Sequence, residues 1–391
     1  MVWKKIKDNF LVLREISFLG IANIIPISIG AVFWFYIASL VGDKIYGEIT
    51  YYLTIAGIGS VITMLGATSS LTVYASKGER ILPTISTIVF TTSAIGAVTV
   101  FFIFYNPGAS IHVFTYVIFI LIASEFLGRK LFKTYMKITI IQKLLMVFLA
   151  ILLYYVIGNN GIILGIALSF FPFIVLYIKE FKNNKINFEN LKNKKKFIIN
   201  NYFLQISRVI ESSMDKIIIV PLFGFGILGN YALGMQFYTV FLIIPTIIYQ
   251  YTVPNDARGN PSIVLKKITI LTSVGIAVLG ITFSPVIIKI LFPEFVEAVI
   301  IVQIIALGVI PGTINYMYIS KFLGNLQNKI ILMSSGIFLV SIIIGMIILG
   351  TSYNAHGIAV SFVLASTTES IFLIIVNKFL RCGLKNYTIM A

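Results

Sequence analysis

The sequence predicts an all-α membrane protein with many transmembrane helices. Of its 391 residues, 58% are hydrophobic and only 11% are charged, and the mean hydropathy is +0.99. A typical soluble domain carries about 25% charged residues, so this composition excludes a soluble fold. Apolar stretches of about 20 residues, the length that crosses a bilayer as a helix, recur along the chain. The chain therefore belongs to the class of polytopic membrane proteins.

About twelve apolar spans can be placed, six on each side of one polar stretch. They lie near residues 17–41, 48–75, 84–106, 110–132, 138–158, 161–179, 198–223, 227–254, 268–292, 296–321, 330–350 and 357–381. The polar stretch KEFKNNKINFENLKNKKK is the natural joint between them. We predict an N-terminal six-helix lobe at 1–180, a basic linker at 181–197 and a C-terminal six-helix lobe at 198–391.

The basic residues predict the orientation, because cytoplasmic loops of membrane proteins are enriched in Lys and Arg. On one side of the predicted spans lie both termini, the joint, and Lys4, Lys5, Lys7, Arg14, Lys77, Arg80, Arg129, Lys130, Lys133, Lys137, Lys143, Arg258, Lys266, Lys267, Lys321, Lys329, Lys378, Arg381 and Lys385. The other side has Lys44 and Lys289. We expect a multi-pass protein of the cell membrane with both termini cytoplasmic. The net charge of +16 thus reflects orientation and does not indicate nucleic-acid binding.

A glycine pattern, L-x-G-x-x-I-x-G, occurs at corresponding points of the two halves. It runs from Leu40 to Gly47 at the end of the first span and from Leu222 to Gly229 at the end of the seventh. A second pair of basic junctions follows the fourth and tenth spans. Because each half has an even number of spans, both halves have the same orientation. The repeat therefore predicts a pseudo-twofold axis along the membrane normal.

The stretch from Asn200 to Tyr231 is apolar enough to cross a bilayer and yet carries charges in its middle. At about 100° per residue, one face of the helix presents Asn201, Gln205, Arg208, Glu211, Ser212 and Asp215, and Lys216 follows directly. Charges at membrane depth cost several kcal/mol unless they face a cavity or a partner, so they are functional candidates. The alternative is an internally neutralised set of charges that only packs helices.

Other polar residues in the spans carry the same two interpretations. By the repeat offset, Asn23 corresponds to the polar stripe of the seventh span. Glu125 has Arg129 one turn away, which would suit either a functional acid or a local ion pair. Glu369, in the middle of the twelfth span, has no basic residue nearby in the sequence and needs a partner from another helix, a proton or a cavity.

The remaining polar and aromatic residues of the spans favour structural roles. We expect Gln236, Gln303 and Asn315 to form hydrogen bonds between helices. Aromatic residues near span ends are predicted to anchor at the membrane interface, among them Trp34, Tyr51, Tyr52 and Tyr231. One cysteine, Cys382, and two distant histidines, His112 and His356, offer no readable metal site. No catalytic motif is present, so we do not expect an enzyme.

Three stretches resemble the polysaccharide-export flippases, including O-antigen flippases, of the multidrug/oligosaccharidyl-lipid/polysaccharide (MOP) exporter superfamily. They are IGAVFWFYIASLVGDKIYGEITYYLTIAGIGSVITMLG, ESSMDKIIIVPLFGFGILGNYALGMQF and LFPEFVEAVIIVQIIALGVIPGTINYMYISKFLGNLQNKI. The resemblance covers essentially the whole chain and implies a MATE-like fold of two six-helix lobes around a central cavity. Asp215 matches an acid common in the family at this point of the seventh helix, whereas the first half has no counterpart to it.

The resemblance implies a flippase that moves a polyprenyl-phosphate-linked or pyrophosphate-linked oligosaccharide to the outer leaflet by alternating access. The alternatives are an ion-coupled multidrug exporter of the same fold and a membrane polysaccharide polymerase. No cofactor is expected beyond a coupling H⁺ or Na⁺, and the expected partners are the lipid-linked substrate, the bilayer and polysaccharide-assembly machinery. The candidate substrate-binding residues are Arg208, Gln205, Asn201, Lys216, Arg129 and Asn23, and the candidate ion-coupling residues are Asp215, Glu211, Glu125 and Glu369.

Overall fold

The computed structural model describes residues 2–182, 186–192, 194–257 and 262–388, and over these ranges the chain is helical with short connections. The α-helices are α1 Val2–Thr63, α2 Ala67–Ser76, α3 Leu82–Phe104, α4 Pro107–Gly128, α5 Phe132–Ile157, α6 Asn159–Leu168, α7 Ile174–Lys182, α8 Phe188–Lys192, α9 Lys195–Phe241, α10 Ile243–Ala257, α11 Ile263–Leu291, α12 Ala298–Gly324, α13 Asn328–Gly345 and α14 Thr351–Thr388. A π-helix, Met346–Gly350, joins α13 to α14. The all-helical prediction is confirmed.

In the described part of the chain, 8 helical runs are long and apolar enough to cross a membrane. The number rises to 9 if Ala298–Leu307 and Val309–Gly324, bent by 40° relative to each other, count as one span. About twelve were predicted. The numbers differ because Gly20–Thr63, Lys195–Phe241 and Asn328–Leu380 each contain parts of two predicted segments.

Two of these long runs are interrupted at the first glycine of the repeated pattern. Gly42 in α1 has φ 73° and ψ 176°, and Gly224 in α9 has φ 84° and ψ 177°. This backbone region is accessible to glycine and strained for residues that have a Cβ. The two copies of the pattern therefore produce the same helix break in both halves.

The chain divides into two compact units: residues 1–34 with 51–213, and residues 35–50 with 214–391. Compared with the predicted lobes, the second unit includes residues 35–50, and the first unit includes residues 198–213. The pseudo-twofold relation between the halves remains a prediction.

Each unit is built around one helix. In the first unit, α4 packs against α2, α3 and α6 and is mostly buried. In the second unit, α12 packs against α10, α11 and α14. The outer helices α5 and α11 instead expose apolar side chains such as Phe148, Leu271 and Phe283. Because water would disfavour so much exposed apolar surface, we expect lipid chains to cover these faces.

The second glycine of each pattern lies where two helices of the second unit cross. A Cβ on Gly47 would collide with the backbone oxygen of Phe225, and a Cβ on Gly229 would collide with the backbone oxygen of Asp43. Beside the crossing, Asn230 donates a hydrogen bond to Asp43 Oδ2 at 3.0 Å and accepts one from the backbone N–H of Ala298 at 3.0 Å. The two glycine patterns thus meet at a close backbone contact.

The charge distribution gives a topology prediction that can be checked in intact cells. In a variant with Cys382 replaced by serine, we expect a cysteine at the exposed position Lys44 to react with an impermeant thiol reagent. A cysteine at the exposed position Lys192 in the joint should react only after the cells are opened. Labelling of Lys192→Cys from outside would contradict the predicted orientation. Asn184, also in the joint, lies outside the described residues.

Candidate functional site

The polar stripe of α9 begins in the first unit, where this helix packs against α2. The turn at Gly66 lies so close to the backbone of α9 that a Cβ there would clash. Nearby, Gln205 Nε2 donates a hydrogen bond to Ser69 Oγ at 3.1 Å, whereas Asn201 Nδ2 donates to the carbonyl of Phe197 in its own helix at 3.0 Å. The carboxamide of Gln205 is therefore fixed between two helices.

Arg208 continues this stripe towards the middle of the helix. It lies thirteen residues after Lys195, which corresponds to about 20 Å along an α-helix. Its side chain is exposed, and among the described residues its guanidinium has no ion-pair partner. Glu211, three residues further on, is half-buried. The stripe thus presents an accessible cation within a span-length helix.

Asp215 lies in the second unit and is buried, with 6% of its surface exposed. Tyr231 donates its hydroxyl to Asp215 Oδ2 at 3.0 Å. Lys216 forms an ion pair with Oδ1 at 3.2 Å, and its backbone N–H donates to the same oxygen at 2.8 Å. The carboxylate of Asp215 is therefore engaged by a hydroxyl, an ammonium group and an amide of its own unit.

Arg129 and Glu125 do not form the local ion pair that their spacing suggested. The Arg129 guanidinium instead contacts Glu180 Oε2 at 2.7 Å, because α7 returns past the end of α4. Glu125 is 1% exposed, and its Oε2 has no hydrogen-bond partner among the described residues. A buried carboxyl oxygen without a partner is unfavourable when charged, so this position favours a proton or a bound cation.

Glu369 is buried in a polar cluster between α12, α13 and α14. Its Oε2 accepts a hydrogen bond from Asn315 Nδ2 at 2.8 Å, and its Oε1 accepts one from Ser334 Oγ at 3.0 Å. Ser370 Oγ in turn donates to Asn315 Oδ1 at 2.6 Å. The acid therefore has the partner from another helix that its isolation in the sequence required.

Asn23 is the one candidate residue whose side chain lies outside the part of the chain that the structure describes. The others fall into separate places: the stripe with Asn201, Gln205, Arg208 and Glu211 in the first unit, Glu125 and Arg129 at the end of α4, and Asp215 with Lys216 and Glu369 on different helices of the second unit.

The structure corrects one prediction and confirms two others. Tyr231 was expected at the membrane interface but is 0% exposed, and its hydroxyl is the partner of Asp215. The one sequence signal that could have predicted this contact is that Asp215 and Tyr231 lie sixteen residues apart, on opposite sides of the break at Gly224. Asn315 and Gln303 do form interhelical hydrogen bonds, the latter from Nε2 to the Ile281 carbonyl at 3.2 Å.

Replacing Glu369 by glutamine should lower the free energy of unfolding by about 1–3 kcal/mol. Glutamine has one acceptor oxygen where glutamate has two, so its NH₂ would face either the Nδ2 donor of Asn315 or the hydroxyl of Ser334, and one of the two present contacts would be lost or replaced by a weaker one. The Ser334→Ala variant, which removes a donor without adding one, is the control and should lose less. Thermal unfolding of the purified proteins measures both. Equal stability of Glu369→Gln and the parent would contradict the expected loss.

Solved structures of membrane transporters have the same architecture as this chain. A lipid II flippase, MurJ, in an inward closed conformation is 16% identical over 93% of this chain and 87% of its own, with a TM-score of 0.74. An inward-facing multidrug resistance MATE family transporter of the MOP superfamily is 13% identical over 95% and 99%, with a TM-score of 0.66. A Vibrio cholerae MATE transporter is 12% identical over 94% and 97%, with a TM-score of 0.58.

No protein-family model and no curated protein matches the chain. At these identities the structural matches establish the fold, which is the one that the MurJ flippase shares with the MATE transporters of the MOP superfamily. The predicted MATE-like fold is confirmed.

Proposed function

We propose that this protein is a flippase for an oligosaccharide linked to a polyprenyl phosphate or pyrophosphate. It would move this lipid from the cytoplasmic to the outer leaflet of the cell membrane by alternating access. The likeness to the lipid II flippase, with a TM-score of 0.74 against 0.66 for the MATE transporter, supports a lipid-linked substrate.

The exposed guanidinium of Arg208 is the observation that carries this proposal. A guanidinium offers a planar set of N–H donors that matches two phosphate oxygens at once. A cation kept accessible within a span-length helix suits an anionic group that must pass through the membrane. Asn201 and Gln205, on the same face of α9, supply the amides that hydrogen-bond sugar hydroxyls, and Lys216, Arg129 and Asn23 are the further substrate-binding candidates.

Ion coupling is the second part of the proposal. Glu125, Glu211, Asp215 and Glu369 are acids within predicted spans, and such acids mark proton or cation pathways in many transporters. Glu125 is the best-supported of them, because its Oε2 is buried and has no hydrogen-bond partner among the described residues. Binding of H⁺ or Na⁺ there would neutralise the carboxylate and bias the inward–outward equilibrium.

An ion-coupled multidrug exporter is the second candidate, and the likeness to MATE transporters favours it. Such an exporter would bind organic cations through acids and aromatic rings. The cation of the α9 stripe argues against it, because Arg208 would repel a cationic drug.

Deletion of the gene separates these functions. If the proposal holds, a lipid-linked oligosaccharide accumulates and stays inaccessible to glycan-modifying enzymes added from outside, until a plasmid copy of the gene restores export. An unchanged pool of lipid-linked sugars together with increased sensitivity to organic cations would support the exporter. Accumulation of translocated but unpolymerised units would indicate a polymerase or a partner of the polysaccharide-assembly machinery.

A further inference from the structure

A basic cavity lies in the second unit between the ends of α11, α12 and α14. Its volume is about 370 Å³. It is lined by Ile263, Lys266, Lys267, Ile270, Met317, Tyr318, Lys321 and Asn377. Three of these described lining residues are lysines and none is acidic, so the cavity is suited to an anion.

Lys266 is held in place by a chain of buried hydrogen bonds. Its ammonium group pairs with Asp256 and also donates to the carbonyl of Met317 at 3.3 Å. Asp256 accepts a hydrogen bond from Ser320 Oγ at 2.6 Å, and Ser320 Oγ contacts Thr252 Oγ1 at 3.0 Å. An ammonium group has three donors, so Lys266 retains one for a ligand after these two contacts. The cation is therefore positioned before any ligand arrives.

The other two lysines complete the anion site. Lys321 is directed across the cavity, where its ammonium group donates to Asn377 Oδ1. Lys267 is exposed at the edge. Asp256 offsets one of the three positive charges, and the remaining positive charge makes the cavity a site that fits a phosphate group.

The surface next to the cavity is apolar and exposed. Ile263, which lines the cavity, is 53% exposed, and on the same helix Val264, Ile268 and Leu271 are 71%, 51% and 73% exposed. The charge distribution puts Lys266, Lys267 and Lys321 on the predicted cytoplasmic side, where the leaflet is anionic. We propose that this cavity binds the phosphate of an anionic phospholipid, whose acyl chains lie along the exposed face of α11.

The site can be tested by measuring how tightly the purified full-length protein binds phosphatidylglycerol. Native mass spectrometry in detergent gives the bound fraction. Each lysine near an anionic lipid surface contributes about 1 kcal/mol, which is about fivefold in affinity. We expect Lys267→Gln to weaken binding about fivefold and Lys267→Gln/Lys321→Gln about 25-fold. Lys266 is left unchanged, because its removal would strand the buried charge of Asp256.

The control variant, Lys133→Gln/Lys137→Gln, removes two exposed lysines from α5 in the first unit and should bind phosphatidylglycerol as the parent does. Equal weakening in this control would overturn the proposal, because general surface charge would then explain the binding. Competition by inorganic phosphate or phosphatidylcholine as effective as that by phosphatidylglycerol would also overturn it. Lys267 is exposed, so its single variant tests the site even if the double variant fails to fold.

Discussion

Replacing Arg208 by alanine should abolish export while the protein still reaches the membrane at its normal level. The guanidinium is exposed, so its removal leaves the packing of α9 intact. Loss of a charge-assisted contact to a desolvated phosphate costs about 2–5 kcal/mol, which lowers substrate affinity roughly thirtyfold or more. Accumulation of the lipid-linked intermediate, compared with membrane levels by immunoblot, measures the effect.

Two further variants separate the charge from the planar geometry at Arg208. Arg208→Lys keeps the positive charge but loses the two parallel N–H donors, so it should retain part of the export activity. Ser207→Ala changes the neighbouring exposed residue, which points about 100° away around the helix, and should leave export unchanged. If Arg208→Ala is inserted and exports normally, the substrate phosphate is bound elsewhere, with Arg129 and Lys216 as the next candidates.

The fold class was predictable because bilayer thickness fixes the length of each apolar segment, so segments of that length can be recognised in the sequence. The glycine repeat was visible in the sequence, and the structure gives its physical reason. Backbone with positive φ and backbones in contact both exclude a Cβ, so Gly42, Gly47, Gly224 and Gly229 mark such positions directly in the sequence. The structure has fewer helical runs than predicted spans because successive spans are continuous in it: in α1 and in α9, two helices meet at a glycine whose backbone is not helical, Gly42 and Gly224.

The partners of the charged residues were less predictable than their positions. The rule that residues three or four apart interact on a helix made a pair of Arg129 with Glu125 one of two interpretations, but Arg129 pairs with Glu180, fifty-one residues away. Long-range pairs depend on how helices return past each other, which local spacing does not encode. The burial of Tyr231 was not predictable for the same reason. An aromatic residue near the end of a span looks the same in the sequence whether it lies at the membrane interface or in a packed core.

The grouping of residues 35–50 with the second unit was also not predictable from the repeat. A sequence repeat divides the chain into two halves of similar length. The compact units are instead defined by which residues contact each other in space. The segment that carries Gly47 packs against the helix that carries Gly229, so it belongs by contact to the second unit. The two copies of the glycine pattern therefore stabilise one crossing, and this crossing gives the largest expected effect on stability.

Replacing Gly229 by alanine should destabilise the protein by about 3 kcal/mol or more. The added methyl group would overlap the backbone oxygen of Asp43, and a backbone atom cannot move aside as a flexible side chain can. The matched control is Gly226→Ala, one turn away in α9, where the new Cβ would meet only Asp43 Oδ2 at 3.5 Å. Alanine favours the helix over glycine by up to about 1 kcal/mol, so the control should be neutral or slightly stabilising.

Thermal unfolding of the two purified variants and the parent tests whether the two helices pack too closely at this crossing to accept a methyl group. A lower midpoint for Gly229→Ala, together with an unchanged or higher one for Gly226→Ala, is the expected pattern. Gly47→Ala tests the same contact from the other helix, because its Cβ would overlap the backbone oxygen of Phe225. Equal unfolding temperatures for Gly229→Ala and Gly226→Ala would mean that the two helices separate readily at this point. The glycine pattern would then be needed only for the helix break at Gly224.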